Sequence, residues 1–354
     1  MTGTPTGQPN PYQRVAERLG SYGISRIAII DDAFDKPIRA DFEDGDDLEM
    51  FFAEVDADPA ARAELAELGY ELADAGDISD EMLDRLFSER QNLAALKSHC
   101  NRLFHLIDEK QSQLKPLYDS LKHDLGLEVD RYGASDELID LTTKVIFIDY
   151  FLGPGADSYE VAKRIARETY GKYENEPSKP LIILMSSKEI SEDTIAAFRD
   201  ESGLLGGTFY FVDKRDFSNK DKLHLKIGAW AMALPYSEKI QSFVNGLQAA
   251  MDEVSEQFFN DIRKLSVDDY AYIQKLSLQE DGHPLGDYMV WLYSSYLGRL
   301  LFEAPTVRQQ QEIIDQMTFE DLPPSQMKPT LQLAEIYKSA LFASVDDAQA
   351  HPRD

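Results

Sequence analysis

Cysteine is almost absent from this chain. Cys100 is the single copy in 354 residues, which excludes an intramolecular disulfide framework and a cysteine-rich zinc site. Basic charge is also scarce. The 36 Lys and Arg stand against 64 Asp and Glu, a formal net charge of −28 at pH 7. Nucleic-acid affinity comes largely from Lys and Arg displacing counterions. No basic cluster offsets the deficit locally, so direct DNA or RNA binding is not expected. Apolar runs are short as well: none approaches the roughly 20 residues that span a bilayer. The first ten residues have neither the basic flank nor the apolar core of a signal peptide. They are rich in Thr, Gly and Pro, as disordered tails are. The expected setting is the cytoplasm, with no membrane partner.

What the chain does have is a set of short aliphatic runs that end in polar residues. Residues 24–32 read Ile-Ser-Arg-Ile-Ala-Ile-Ile-Asp-Asp, 144–149 Lys-Val-Ile-Phe-Ile-Asp, 180–187 Pro-Leu-Ile-Ile-Leu-Met-Ser-Ser, and 208–214 Thr-Phe-Tyr-Phe-Val-Asp-Lys. Such runs suit strands buried on both faces of a parallel sheet. A weaker strand candidate spans 127–132, followed by a short helix near 136–141. Helical patterns at 12–19, 158–170 and 191–200 accompany the strands, and strands alternating with helices imply α/β architecture.

Two regions break that alternation. Residues 41–75 are acidic and rich in Ala, Glu and Leu, and 80–121 carries leucines at helical spacing with Pro116 as an expected interruption. Together they predict a helical insertion, as a hairpin or short coiled coil, over about 40–124. Beyond 218 no strand is evident. Helices are expected at 221–265 with a break at Pro235, then at 270–278, 285–302, 307–317 and 330–342. Trp230, Tyr288, Trp291, Tyr293 and Tyr296 give this part an aromatic stripe, explained first by packing and second by a protein-binding face. It shows no catalytic motif.

Ligands of an open parallel sheet sit beyond the carboxyl ends of its strands. The four strong strands deliver Asp31 with Asp32, Asp149, Ser186 with Ser187, and Lys214 to that edge. Three converging carboxylates repel one another unless a cation lies among them, and Mg²⁺, a hard ion taking a few carboxylates, is the natural candidate. A hydroxyl and an ammonium complete a site for a phosphoryl group. His99 and His105 do not have the i, i+4 spacing of a helical zinc pair, and nothing marks Cys100 as a nucleophile.

This ordered set resembles the receiver domain of bacterial response regulators. The resemblance covers residues 22–218, the insertion set aside. It implies a flavodoxin-like five-stranded parallel sheet in the order 2-1-3-4-5. Residue by residue, it makes Asp149 the phospho-acceptor and Asp31 and Asp32 the acidic pair. The Phe151 backbone carbonyl becomes a further metal ligand, Ser186 and Lys214 the conserved hydroxyl and lysine positions, and Phe211 the switch aromatic. Two departures stand out: Arg215 occupies the place of the family's proline, and Asp213 is positioned to compete for the charge of Lys214.

The implied organisation is a tail at 1–18, a receiver-like domain at 19–218 and a helical domain at 219–354. Extended receivers of this form include regulators found in phage-defence operons. The implied function is phosphoryl transfer from a histidine kinase or phosphotransfer protein to Asp149 with Mg²⁺. Output would go to a downstream protein, or the chain would act as a phosphate sink against a competing regulator. No separate enzymatic activity is expected, and homodimer formation is left open. The competing expectation is a pseudo-receiver scaffold in which no phosphate moves.

Overall fold

The computed structural model describes residues 11–341 except 43–45, 71–77, 135–139, 154–157, 174–175, 177–178, 279–281 and 321–330. The tail expected to be disordered at 1–10 and most of the short helix expected at 136–141 lie outside the described residues.

Five strands form one sheet: β1 (Arg26–Ile30), β2 (Glu128–Tyr132), β3 (Val145–Asp149), β4 (Leu181–Ser186) and β5 (Phe209–Asp213). All neighbours pair in parallel, in the order β2-β1-β3-β4-β5. Every residue of β3 and β4 is buried, as central strands covered on both faces must be. β2 is an edge strand with sequence Glu-Val-Asp-Arg-Tyr and an exposed or half-buried surface. It never has to be apolar, which is why its sequence signal is weak.

Alternation along the strands feeds two cores. On one face, Ile27, Ile29, Phe147, Ile183 and Val212 pack with Leu114 and Leu117 of α6 (His105–Asp119) and Leu19 of α1 (Pro11–Ser21). On the other, Ala28, Ile30, Ile146, Ile148, Ile182 and Leu184 meet α7 (Ser158–Lys172) and α8 (Glu192–Glu201) through Ala162, Ala166, Tyr170 and Phe198.

The region between β1 and β2 is neither a hairpin nor a coiled coil. It holds α2 (Asp46–Ala57), α3 (Pro59–Glu67), α4 (Asp80–Glu89) and α5 (Lys97–Leu103) as well as α6. Phe51, Phe52, Val55, Leu65, Leu83, Leu86, Leu96 and Phe104 give these helices a core of their own. Cys100 belongs to that core, and burial pushes its thiol up to about 12. The run 80–121 breaks before α5 and again at Phe104, not at Pro116. Glu64 stabilises the first break by accepting the backbone N–H groups of Ala94, Ala95 and Leu96, each at 2.8 Å. Pro116 stays inside α6, which runs on into a π-helical turn at Ser120–Asp124. Leu114, Leu117 and Leu121 anchor both sides of it in the sheet core.

Pro235 does not break its helix either: α9 runs unbroken over 43 residues, Lys220–Ile262. A proline in a helix interior costs about 3 kcal/mol, and a fully buried large apolar side chain contributes about 1.5–3 kcal/mol. Leu223, Ile227, Trp230, Ala231 and Leu234 before the proline are buried in the sheet core. Beyond it, Ala250, Val254 and Phe258 are buried along the stretch where α11 (Leu285–Glu303) and α12 (Pro305–Asp315) pack on α9. The sum of these burials outweighs one lost bond. The same packing shows that the division expected at 218–219 would separate the sheet from the half-helix that covers it. Trp230 is therefore a sheet-core residue, edge-on to Phe147, whereas Trp291 is exposed on α11. Two shorter helices, α10 (Val267–Tyr272) and α13 (Leu331–Leu341), complete this part. Among the described residues, no helix is long and apolar enough to cross a membrane.

Candidate functional site

The site lies at the carboxyl edge of the sheet, where β1, β3, β4 and β5 end. Asp31 follows β1 and is fully buried. Its backbone N–H donates to the Tyr132 carbonyl at 3.0 Å, which ties the loop to the edge strand. One carboxylate oxygen accepts the Ala33 N–H at 3.0 Å and so caps the short turn Asp32–Phe34. Asp149 closes β3, paired in register with Met185 of β4, and the next residue continues the ladder through Tyr150 N–H to the Met185 carbonyl at 2.8 Å. The backbone of Asp149 is thus fixed against β4.

Lys214 follows β5 and reaches back across the edge. Its Nζ stands 2.7 Å from Asp31 Oδ2 and 3.0 Å from Asp149 Oδ1, with all three side chains buried. Burial raises the Asp31 carboxyl above its ordinary range, and Lys214 offsets only part of that. Asp149 is pushed up to about 7, by burial first and by the Asp31 charge second. Burial works to lower the Lys214 ammonium, but the charges of Asp149 and Asp31 outweigh it and the net shift is upward. One buried cation therefore serves two buried acids, and the pocket holds a residual negative charge.

The structure brings Asp31, Asp32 and Asp149 together as the sequence predicts. One oxygen from each lies within 4.8 Å of the others, and among the described residues this is the only grouping of three or more such ligands. Asp149 Oδ1 is buried, with the Lys214 ammonium as its partner at 3.0 Å. Three converging hard oxygen donors, two of them sharing a single buried ammonium, fit a small divalent cation.

Ser186 ends β4, fully buried. Its hydroxyl donates to the Lys188 carbonyl at 2.9 Å and accepts the Lys188 N–H at 3.0 Å, so it is folded onto its own loop. Phe151 lies two residues beyond Asp149, its ring 4.5 Å from the Lys188 ammonium. Phe211 is half-buried on β5 and packs against the α7–α8 core. Asp213 does not compete for Lys214. Arg215 Nε lies 2.9 Å from each Asp213 oxygen, and this hydrogen bonding holds the carboxyl below its ordinary value. Arg215 thus holds Asp213 in an ion pair of its own.

Lys110 has no counterpart among the sequence-based candidates. Its Nζ lies 2.7 Å from Asp32 Oδ2, from a helix 78 positions along the chain. No local pattern around Lys110 distinguishes it from other surface lysines.

No family model, curated protein or solved structure matches this chain.

Proposed function

We propose that this chain is a receiver-type phospho-acceptor of two-component signalling, built on a flavodoxin-like sheet with a helical insertion after its first strand. The observation that carries the reading is the joint arrival of Asp31, Asp32, Asp149 and Lys214 at the carboxyl edge of a parallel sheet ordered β2-β1-β3-β4-β5, the edge where ligands of such sheets bind. The donor is a phosphohistidine on a kinase or phosphotransfer protein. An Asp149 oxygen attacks phosphorus in line, the P–O bond forms as the P–N bond breaks, and the donor histidine leaves. Asp31, Asp32, Asp149 and the Phe151 carbonyl would hold Mg²⁺, which when bound neutralises charge on the phosphoryl oxygens.

Lys214, already beside Asp149, turns from that carboxylate to a phosphoryl oxygen. Ser186 releases the Lys188 backbone to donate its hydroxyl to the same group, and Phe211 follows the β4–β5 loops inward. Water later hydrolyses the acyl phosphate. A net charge of −28 favours output by protein contact, or action as a phosphate sink, over DNA binding. A cytoplasmic setting goes with this reading.

Incubation with acetyl phosphate and Mg²⁺ tests it. Intact mass should rise by one phosphate in the wild type and stay unchanged in Asp149→Asn. A second reading, a scaffold with no phosphoryl transfer, draws on a specific observation: Lys214 and Lys110 between them pair all three acids. No label together with no Mg²⁺-dependent beryllofluoride binding would select the scaffold.

A further inference from the structure

The helical segment between β1 and β2 touches the carboxylate cluster through two consecutive side chains of α6. Lys110 sets its ammonium 2.7 Å from Asp32 Oδ2, and Gln111 donates its side-chain N–H to the Ala33 carbonyl at 2.9 Å. α6 is seated by Leu114 and Leu117 in the sheet core, so the Lys110 stem starts from a fixed helix.

The two lysines of the site differ in their freedom. Lys214 is 8% exposed and enclosed by its acids, whereas Lys110 is 52% exposed against an Asp32 of 11%. Lys110 can swing into water, or toward the neighbouring Asp41, on which its charge already acts, without breaking the core. Lys214 has no such exit.

On the phospho-acceptor reading, Asp32 is a ligand of the divalent cation. Lys110 and that cation then claim the same carboxylate, and like charges a few Å apart disfavour joint occupancy. We propose that Lys110 is a tethered competitor of the divalent cation at Asp32. It lets the metal-free site persist with its third acid neutralised, and it sets the cation concentration at which the site becomes competent. The helical segment thereby controls the acceptor through one side chain.

The test is Mn²⁺ titration of the full-length protein, read by electron paramagnetic resonance of free Mn²⁺, with calorimetry for Mg²⁺. Half-exposed ion pairs contribute up to about 1 kcal/mol, a factor of about 5, so Lys110→Met should tighten Mn²⁺ binding about two- to fivefold. Lys110→Arg, which keeps the charge, should bind as the wild type does. Mn²⁺ should also alter amide hydrogen exchange over residues 105–119 in the wild type and not in Lys110→Met. Equal affinity in wild type and Lys110→Met overturns the proposal, and so does weaker binding by Lys110→Met, which would make Lys110 a support of the cation site. With acetyl phosphate labelling of Asp149 intact, either result leaves the phospho-acceptor reading standing. Absence of Mn²⁺ binding in every variant sinks the cation site, and both ideas fall together.

Discussion

Lys214 bridges Asp31 and Asp149, lying 2.7 Å from one and 3.0 Å from the other. Asp31 and Asp149 come from the ends of neighbouring strands, whereas Lys214 follows a strand that adjoins neither: β4 separates β3 from β5. The lysine closes this edge electrostatically, because among the described residues it is the only cation paired with either buried acid.

Removing that cation should be costly in the metal-free protein. Breaking a buried ion pair from one side typically destabilises by about 3–5 kcal/mol, since the remaining charge is left uncompensated. Lys214→Met should lose stability of that order in EDTA, seen as a lower Tm, and Mg²⁺ should restore part of the loss. Differential scanning calorimetry with and without Mg²⁺ measures both. An unchanged Tm in EDTA would show that the bridge contributes nothing.

The raised Asp149 carboxyl makes stability depend on pH with a definite sign. Its folded value of about 7 lies above the ordinary 3.8. Between those values the unfolded chain releases a proton that the folded chain keeps, so the Asp149 contribution falls as pH rises toward 7. Above 7 the loss is complete. Asp149→Asn should therefore gain relative to wild type on moving from pH 4 to pH 8, by about 2 kcal/mol or more. Urea denaturation of both proteins across that range gives the difference curve. A flat curve would mean that Asp149 ionises normally in the fold.

The two tryptophans should behave oppositely. Trp230 is buried against Phe147 and Tyr210, and Trp→Ala in a core costs about 3–5 kcal/mol. Trp291 is 60% exposed, and Trp291→Ala should change stability by no more than about 0.5 kcal/mol. A small effect at Trp230 would mean that the first half of α9 is not part of the sheet's core.

Pro235 offers a test of the unbroken α9. In a continuous helix, Pro235→Ala restores a backbone N–H and relieves the ring's clash with the preceding turn, and should stabilise by about 1–3 kcal/mol. Thermal unfolding followed by far-ultraviolet circular dichroism reads this out. A loss of stability would show that the ring itself is needed there.

The sequence by itself determined the parallel sheet, the strands that build it and the residues at its edge. Strands buried on both faces must be continuously apolar, so the runs at β1, β3, β4 and β5 announce themselves. The polar residues that close the runs, Asp31, Asp149, Ser186 and Lys214 among them, are then placed at the carboxyl edge by chain direction alone. β2 was faint because an edge strand may carry Glu128, Asp130 and Arg131. Pro116 and Pro235 misled for a related reason: local preference assigns a proline to a helix break, and tertiary packing on both sides overrides it. Only the tertiary structure decided the pairing of charges. Ion pairs depend on distances of a few Å between side chains remote in sequence, as with Lys110 and Asp32, and on local alternatives such as Arg215 taking Asp213 from Lys214. Neither leaves a period or a motif in the chain, so which cation meets which acid is settled by the folded geometry.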